Sequence, residues 1–312
     1  MKAVILTEGS KDIGFGHITR CLALYEAFKD KNVQPVFIIN GDSSIKYLLR
    51  EKKYQLFNWL KEKNKLFNIL REAGIVVIDS YLASRDLYNK ISEIIPSGIL
   101  AMVDDYNRIK YPEGIVINPS IYMDRLNYPQ KEGMVYLLGK DYVILRKAFQ
   151  KIPVKRINKK ARDVLIMFGG INHSALMHKI IDYLEKIFDF NFYVVEPMKN
   201  RLSARRVLNL MLNADICISG GGQTTHELAR VGVPTIGVCF AKNQRRNLKG
   251  WQENGFIEYA GWHNDNNVVV KIKNAIEKLM PYAERVRRNN IGRKFVDGKG
   301  SQRIIHKLLH NN

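Results

Sequence analysis

The stretch Ile216-Cys217-Ile218-Ser219-Gly220-Gly221-Gly222-Gln223-Thr224-Thr225-His226-Glu227 decides how the rest of this 312-residue chain is read. Residues 216–219 form a short apolar run of the kind that makes a buried strand, and residues 224–231 have helical spacing. Three glycines join the two. Glycine lets the backbone approach a ligand and exposes its N–H groups, and the helix start adds the positive end of a dipole. Together they form an anion site suited to a diphosphate, built from Gly221, Gly222 and Gln223. Thr224 and Thr225 are placed to cap the helix or to donate to phosphate oxygens, and Glu227 to accept from ribose hydroxyls. A tight turn with a capped helix accounts for the same residues without a ligand.

Outward from this point, the strand–loop–helix unit recurs. Apolar runs predict strands at 3–6, 35–39, 75–78, 99–103, 115–117 and 135–138. After a basic stretch they resume at 164–168, 192–195, 235–240 and 256–259. Helical spacing fills 18–29, 61–72, 173–187 and 268–279. Such alternation predicts an α/β protein of two Rossmann-like domains with parallel sheets, helices on both faces and a cleft between the domains. Pro153 interrupts the pattern. The expected division is an N-terminal domain of residues 1–152, a C-terminal domain of 153–281, and a basic helix over 282–312, broken near 298–300, that packs back on the first domain.

Composition bounds the class. Hydrophobic residues are 46% and charged residues 26%, enough apolar content for a real core. No apolar run reaches the roughly 18 residues of a spanning helix, and the opening Met1-Lys2-Ala3-Val4 reads as a first strand, so a cytoplasmic location is expected. Cys21, Cys217 and Cys239 are far apart among apolar neighbours, neither a disulfide framework nor a zinc pattern. The net charge of +20 points to polyanionic partners. It concentrates in residues 146–162, with eight Lys/Arg and no acid, and in 285–312, with eight Lys/Arg and one acid, Asp297.

Ligands of open α/β sheets bind outside the carboxyl ends of the strands, and the unusual residues collect there. Gly14-Phe15-Gly16-His17 follows the first strand and opens a helix. His17 is placed to accept a proton from water or a hydroxyl, and the helix dipole is expected to keep its ring neutral. The third glycine of a dinucleotide fingerprint is missing, since Thr19 stands there. Asp79-Ser80-Tyr81 ends the strand at 75–78, and either orients a sugar or water, or caps the next helix. Asp104-Asp105 ends the strand at 99–103; adjacent acids on extended chain face opposite ways and make a poor metal pair. Asn118 ends the next strand. Gly169 and Gly170 end the first strand of the second domain, and Lys242-Asn243-Gln244 follows the strand at 235–240, with amides for hydroxyls or phosphate. His226 is read as packing, and His173, His178 and His263 as structural or exposed. His306 and His310 stand four apart but lack a third metal ligand.

Ile13-Gly14-Phe15-Gly16-His17-Ile18-Thr19-Arg20-Cys21-Leu22 resembles the opening of the PseG/SpsG group, known for UDP-2,4-diacetamido-2,4,6-trideoxy-β-L-altropyranose hydrolysis in pseudaminic acid biosynthesis. The resemblance continues through Asp79-Ser80-Tyr81, Val103-Asp104-Asp105, Phe168-Gly169-Gly170, residues 219–227 and Lys242-Asn243-Gln244; residues 198–206 match no motif of the group. The wider relatives are GT-B glycosyltransferases of the MurG type, so the resemblance implies a GT-B-like fold. It further implies metal-independent, inverting hydrolysis at sugar C1 without a cofactor. His17 would be the base, Tyr81 would assist at the sugar, and residues 220–225 would hold the diphosphate. Glu227 would hold the ribose, and Asn243 and Gln244 would touch sugar or phosphate. Gly14, Gly16, Arg20, Asp79, Asp105 and Asn118 join the expected substrate contacts.

Two other classes compete. A MurG-like transferase needs the same UDP-sugar donor and also a membrane-facing patch, a role open to the basic segments as a peripheral contact. A nucleic-acid-binding protein fits the charge, but no helix-turn-helix, RNA-binding aromatic signature or zinc finger is present, so no nucleic acid is expected as partner.

Overall fold

The computed structural model describes residues 1–11, 13–122, 126–169, 173–196 and 202–310. Two compact units emerge: Met1–Arg146 with Lys299–Asn312, and Lys147–Gly298. The division thus falls ahead of residue 152. The basic tail is shared, its first part belonging to the second unit and its last part to the first.

The first unit carries strands β1 (Ala3–Gly9), β2 (Pro35–Gly41), β3 (Tyr54–Leu56), β4 (Ile75–Asp79), β5 (Ile99–Val103), β6 (Gly114–Asn118) and β7 (Met134–Leu138), with helices α1 (Gly16–Lys29), α2 (Lys63–Leu70) and α3 (Arg85–Ile94). All pairings are parallel, in the order β3-β2-β1-β4-β5-β6-β7. Every residue of β1 is buried, because helices cover both faces of a parallel sheet. Alternation sends Ala3 and Ile5 to one side, against Ile18, Cys21 and Phe28 of α1. It sends Val4 and Leu6 to the other, against Trp59, Leu66 and Leu87. Gly9 and Gly41 face each other in register, and a Cβ on Gly41 would fall 2.1 Å from the Gly9 carbonyl oxygen.

The second unit carries β8 (Asp163–Met167), β9 (Asn191–Val195), β10 (Ile216–Gly220), β11 (Thr235–Cys239) and β12 (Ile257–Trp262), with helices α4 (Ser174–Leu184), α5 (Ala204–Asn213), α6 (Thr224–Val231), α7 (Lys242–Glu253), α8 (Val268–Leu279) and α9 (Tyr282–Phe295). Its sheet is parallel in the order β12-β11-β10-β8-β9. The last helix, α10 (Gly300–Leu309), returns to the first unit, where Ile304, Ile305 and Leu308 join the core beside α1. The chain passes from α9 to α10 near Gly298, where the break was expected; α9 belongs to the second unit and α10 to the first.

Several basic residues are structural. Arg285 is fully buried and donates to the carbonyl oxygens of Asn158 and Lys159. Lys155 is buried and donates to the Leu212 carbonyl. All three cysteines are buried free thiols. Among the described residues, no helix is long and apolar enough to cross a membrane.

Candidate functional site

In both sheets the strand order reverses at one point, between β1 and β4 in the first and between β8 and β10 in the second. A loop leaving one strand there diverges from the loop leaving its neighbour, which opens a crevice at the carboxyl ends. The candidate residues occupy both crevices.

At the first, the chain turns after β1 through Gly14, whose φ of +86° suits glycine and whose N–H bonds the Ser10 carbonyl at 2.8 Å. Gly16 then starts α1 beside open space, since a Cβ there would meet nothing within 4 Å. One residue on, His17 Nδ1 lies 2.7 Å from Oδ1 of Asp79, the last residue of β4. Arg20, one turn along α1, donates to the same carboxylate through Nε at 2.8 Å and a terminal nitrogen at 2.6 Å. It donates to Asp105 at 2.7 Å through its other terminal nitrogen. The Tyr81 hydroxyl donates to Asp105, and its ring stands edge-on to His17, centroids 4.5 Å apart. The side chains of His17, Asp79, Arg20, Asp105 and Tyr81 therefore close a ring of contacts.

Electrostatics assigns the protons. Asp79 faces a guanidinium and a ring nitrogen, and although burial opposes its charge, Arg20 and His17 hold its carboxyl well below the usual carboxylate range. An ionised Asp79 only accepts, so His17 Nδ1 carries the hydrogen and Nε2 carries the lone pair. Burial disfavours the imidazolium, but the charge and hydrogen bond of Asp79 outweigh it and raise the pKa of His17 above 6.5. The helix dipole was expected to keep the ring neutral; the Asp79 carboxylate favours its protonated form instead. Asp105 is likewise held down, Arg20 outweighing its burial.

Several residues expected as substrate contacts are buried and bonded to protein partners. Asp79 is fully buried and Arg20 is 7% exposed, with their polar atoms engaged as above. Asn118 is fully buried; its amide donates to the Tyr128 hydroxyl and accepts from the Ser120 N–H. Asp104 accepts from the backbone N–H groups of Asp105, Tyr106 and Arg108 and from the Tyr128 hydroxyl, so it shapes the loop. Ser80 does not cap α3, whose N-cap is Ser84. Sequence reasoning missed Glu8, buried near the end of β1. It accepts from the Ser80 hydroxyl and from the Tyr81 N–H at 2.7 Å, fixing the segment that carries the phenol. An acid at the carboxyl end of a central strand was the available signal.

At the second crevice, Gly220 to Gly222 link β10 to α6. A Cβ on Gly221 would strike Leu248 at 2.6 Å, whereas one on Gly222 would meet nothing within 4 Å. The Gly221 N–H does not face outward, because Gln244 accepts it at 3.2 Å and accepts the Phe240 N–H at 3.0 Å. Gln244 is thus a strut between α7 and the glycine turn. Asn247, also missed, donates to the Gly221 carbonyl and to the Thr225 hydroxyl, both at 2.9 Å. Thr225 is fully buried and donates to the Gly222 carbonyl, and Glu227 is 3% exposed. The N–H groups of Gly222 and Thr224 make no backbone hydrogen bond within the described protein, and Gly222, Gln223 and Thr224 are partly exposed. Asn243 is exposed in the first turn of α7. Gly169 adopts φ +90° with open space beside it. Gly170 lies outside the described residues.

No family model matches the chain. An uncharacterized protein of Methanocaldococcus jannaschii is 27% identical over 267 residues, 76% of this chain and 55% of that protein. The chain therefore spans about half the length of this relative. The UDP-2,4-diacetamido-2,4,6-trideoxy-beta-L-altropyranose hydrolase of Campylobacter jejuni is 23% identical over 286 residues, 83% of this chain and 99% of the hydrolase. Among solved structures, MurG of Acinetobacter baumannii superposes with a TM-score of 0.72 at 12% identity, covering 99% of each chain. The calicheamicin glycosyltransferase CalG4 superposes at 0.62 and 11% identity, over 99% of this chain and 98% of CalG4. The architecture is that of GT-B glycosyltransferase structures.

Proposed function

We propose that the protein is a nucleotide-sugar hydrolase that releases UDP and a 2,4-diacetamido-2,4,6-trideoxyhexose by inverting attack of water at C1. The observation that carries this reading is the His17–Asp79 pair, 2.7 Å apart, at the switch point of the first sheet. Asp79 fixes the tautomer, so Nε2 takes the proton of the attacking water as its oxygen bonds to C1. The C1–oxygen bond to the diphosphate breaks, and UDP leaves with the electron pair. A raised pKa makes Nε2 a stronger base, and positioned general bases contribute about 10²–10⁴ in rate. The Gly222 and Thr224 N–H groups at the start of α6, without a backbone partner among the described residues, suit the charge that gathers on the leaving diphosphate. The likeness to the Campylobacter hydrolase over nearly all of that protein supports hydrolysis.

The likeness in fold to MurG and CalG4 favours a second reading, transfer of the sugar from UDP to an acceptor hydroxyl. Incubation with UDP-sugars in the absence of acceptor separates the two. Free sugar of inverted anomeric configuration, followed by NMR, is expected. His17→Asn is expected to bind UDP and lose turnover; full activity in that variant would remove His17 from the chemistry.

A further inference from the structure

Two buried acids stand at the carboxyl ends of β1 and β4, on opposite faces of the sheet. Along β1, Ala3 and Ile5 pack on the α1 side and Val4 and Leu6 on the other. Alternation places Glu8 with Val4 and Leu6. Along β4, Ile75 and Val77 pack on the α1 side, and Val76 and Ile78 on the other. Asp79 therefore turns towards α1, where it meets His17 and Arg20. Ser80, one residue on, turns the opposite way and donates its hydroxyl hydrogen to Glu8. Glu8 is 1% exposed, at a position where the strand pattern calls for a third apolar residue. A buried carboxylate there costs more than a valine would, and such breaks in pattern concentrate where function requires them.

The hydrogens around Glu8 have one arrangement. The Ser80 hydroxyl accepts the Leu82 N–H at 3.1 Å and the Ala83 N–H at 3.0 Å. Its lone pairs are thus used, and its own hydrogen goes to Glu8. The other Glu8 oxygen accepts the Tyr81 N–H at 2.7 Å. Both groups facing Glu8 are donors, and a carboxylate has an acceptor for each. The turn at 80–83 is thereby tied to β1, and Arg108 holds its far end by donating to the Ala83 carbonyl at 2.9 Å. Tyr81 leaves this turn with its hydroxyl donated to Asp105 and its ring edge-on to His17, at 4.5 Å and 89°. Among the described residues, the His17 ring makes one hydrogen bond, from Nδ1 to Asp79. A ring held at one atom can still tilt about that bond. The Tyr81 contact removes this freedom and so sets the direction of Nε2.

We propose that Glu8 is a positioning residue: through the Ser80–Tyr81 turn it holds the phenol ring against His17 and so aims Nε2. This rests on the reading of His17 as the base and adds the residue that fixes its direction, as Asp79 fixes its tautomer. The charge of Glu8 also favours the protonated ring. Its effect on direction is therefore measured at a pH above the acid limb of the rate profile, where the ring is neutral.

The test is Glu8→Gln in the full chain, measured with and without substrate. Without substrate, NMR follows the carbon-bound ring protons of His17, assigned by their absence in His17→Asn. Tyr81→Leu gives their position when no phenol ring lies alongside. A glutamine has an acceptor for one donor and turns an NH₂ group to the other, so the turn loosens. The His17 signals of Glu8→Gln are expected to move towards those of Tyr81→Leu. With a UDP-sugar, kcat is expected to fall by about 10- to 100-fold, the upper figure matching a displacement of about 1 Å, while KM is unchanged. A role in stability alone would lower the melting temperature and leave the signals and the kcat of the folded protein in place. Unmoved His17 signals, or moved signals with wild-type kcat, overturn the proposal and leave His17 as the base. Moved signals in a protein whose wild type hydrolyses no UDP-sugar support the positioning and overturn the hydrolase reading. Glu8→Asp sets both acceptors one methylene back and carries the same comparison if Glu8→Gln does not fold.

Discussion

Replacing Asp79 with Asn removes one charge and one acceptor where His17 and Arg20 both point their donors. An amide has a single oxygen, so at least one of these donors must face an NH₂ group. The guanidinium cannot give up its protons and claims the oxygen. His17 is left facing an NH₂ and changes tautomer, which places hydrogen on Nε2 and blocks it as a base. Loss of the orienting carboxylate in a catalytic pair of this kind lowers kcat by about 10⁴, and a loss of about 10³–10⁴ is expected here. Breaking a buried ion pair from one side costs about 3–5 kcal/mol. Arg20 retains Asp105 at 2.7 Å, so the lower end applies, and at about 2–4 °C per kcal/mol the melting temperature falls by about 6–12 °C.

The pH dependence follows from the same contacts. In the wild type, the raised His17 pKa puts the acid limb of kcat/KM above 6.5. Without Asp79, burial is left as the dominant influence, and the residual activity of the variant has its acid limb at lower pH. For stability, the Asp79 contribution is present above its ordinary value of 3.8 and lost only in strong acid. The His17 contribution is complete below 6.5 and is lost as the pH rises through its raised value. The stability gap between wild type and variant is therefore widest between about pH 4 and 6.5. Initial rates of UDP-sugar hydrolysis across this range, with thermal melts and UDP calorimetry on the same samples, measure all three effects. A folded variant with wild-type turnover and an unmoved acid limb would refute the assignment of Asp79 and His17 as one unit.

Gly41→Ala forces a methyl against the Gly9 carbonyl and is expected to destabilise by about 1–3 kcal/mol in urea melts. Gly222→Ala meets nothing within 4 Å and should melt as the wild type does, while its methyl takes up space beside the N–H and weakens UDP binding by calorimetry. Gln244→Glu keeps both acceptors for Gly221 and Phe240 but puts a negative charge at the glycine turn; retained stability with at least about tenfold weaker UDP binding is expected. Burial holds Lys155 down to about 8, so its penalty is in force below that pH and disappears as the pH rises toward 10.5. Stability from this group rises with pH across that window, and Lys155→Met should flatten the rise in urea melts. Deleting residues 299–312 exposes the face that Ile304, Ile305 and Leu308 cover; at about 2 kcal/mol per side chain the loss is about 6 kcal/mol, seen as a low-temperature unfolding step.

The fold was legible wherever strands are buried on both faces. There the requirement for apolar side chains leaves a continuous run, as in Ile75–Asp79 and Ile216–Gly220. It was not legible at Tyr54–Leu56, an edge strand of three residues paired on one side only. Helices Arg85–Ile94 and Ala204–Asn213 went unread although Ser84 and Ser203 cap them, because a lone serine before a polar stretch also starts a turn. In Lys242–Glu253, polar residues 242–247 precede the first buried side chain, Leu248, so no apolar periodicity marks the start of this helix.

Residue types at the strand ends were legible in both units, but their division of labour was not, and the reason is topological. His17 and Asp79 are 62 residues apart and meet because β4 crosses over to pair with β1. No local pattern reports that an acid at the end of β4 will lie beneath α1 rather than face solvent. Once it does, an unpaired carboxylate there would be prohibitively costly, so Arg20 and His17 become its partners. The second crevice has the same strand reversal, but Ser219 and Gly220 end its strand where Asp79 ends β4. With glycine in place of an acid at the strand end, the N–H groups of Gly222 and Thr224 at the start of α6 are left without a backbone partner among the described residues. On the proposed reading, one sheet topology serves a proton acceptor where its central strand ends in an acid, and an anion site where it ends in glycine.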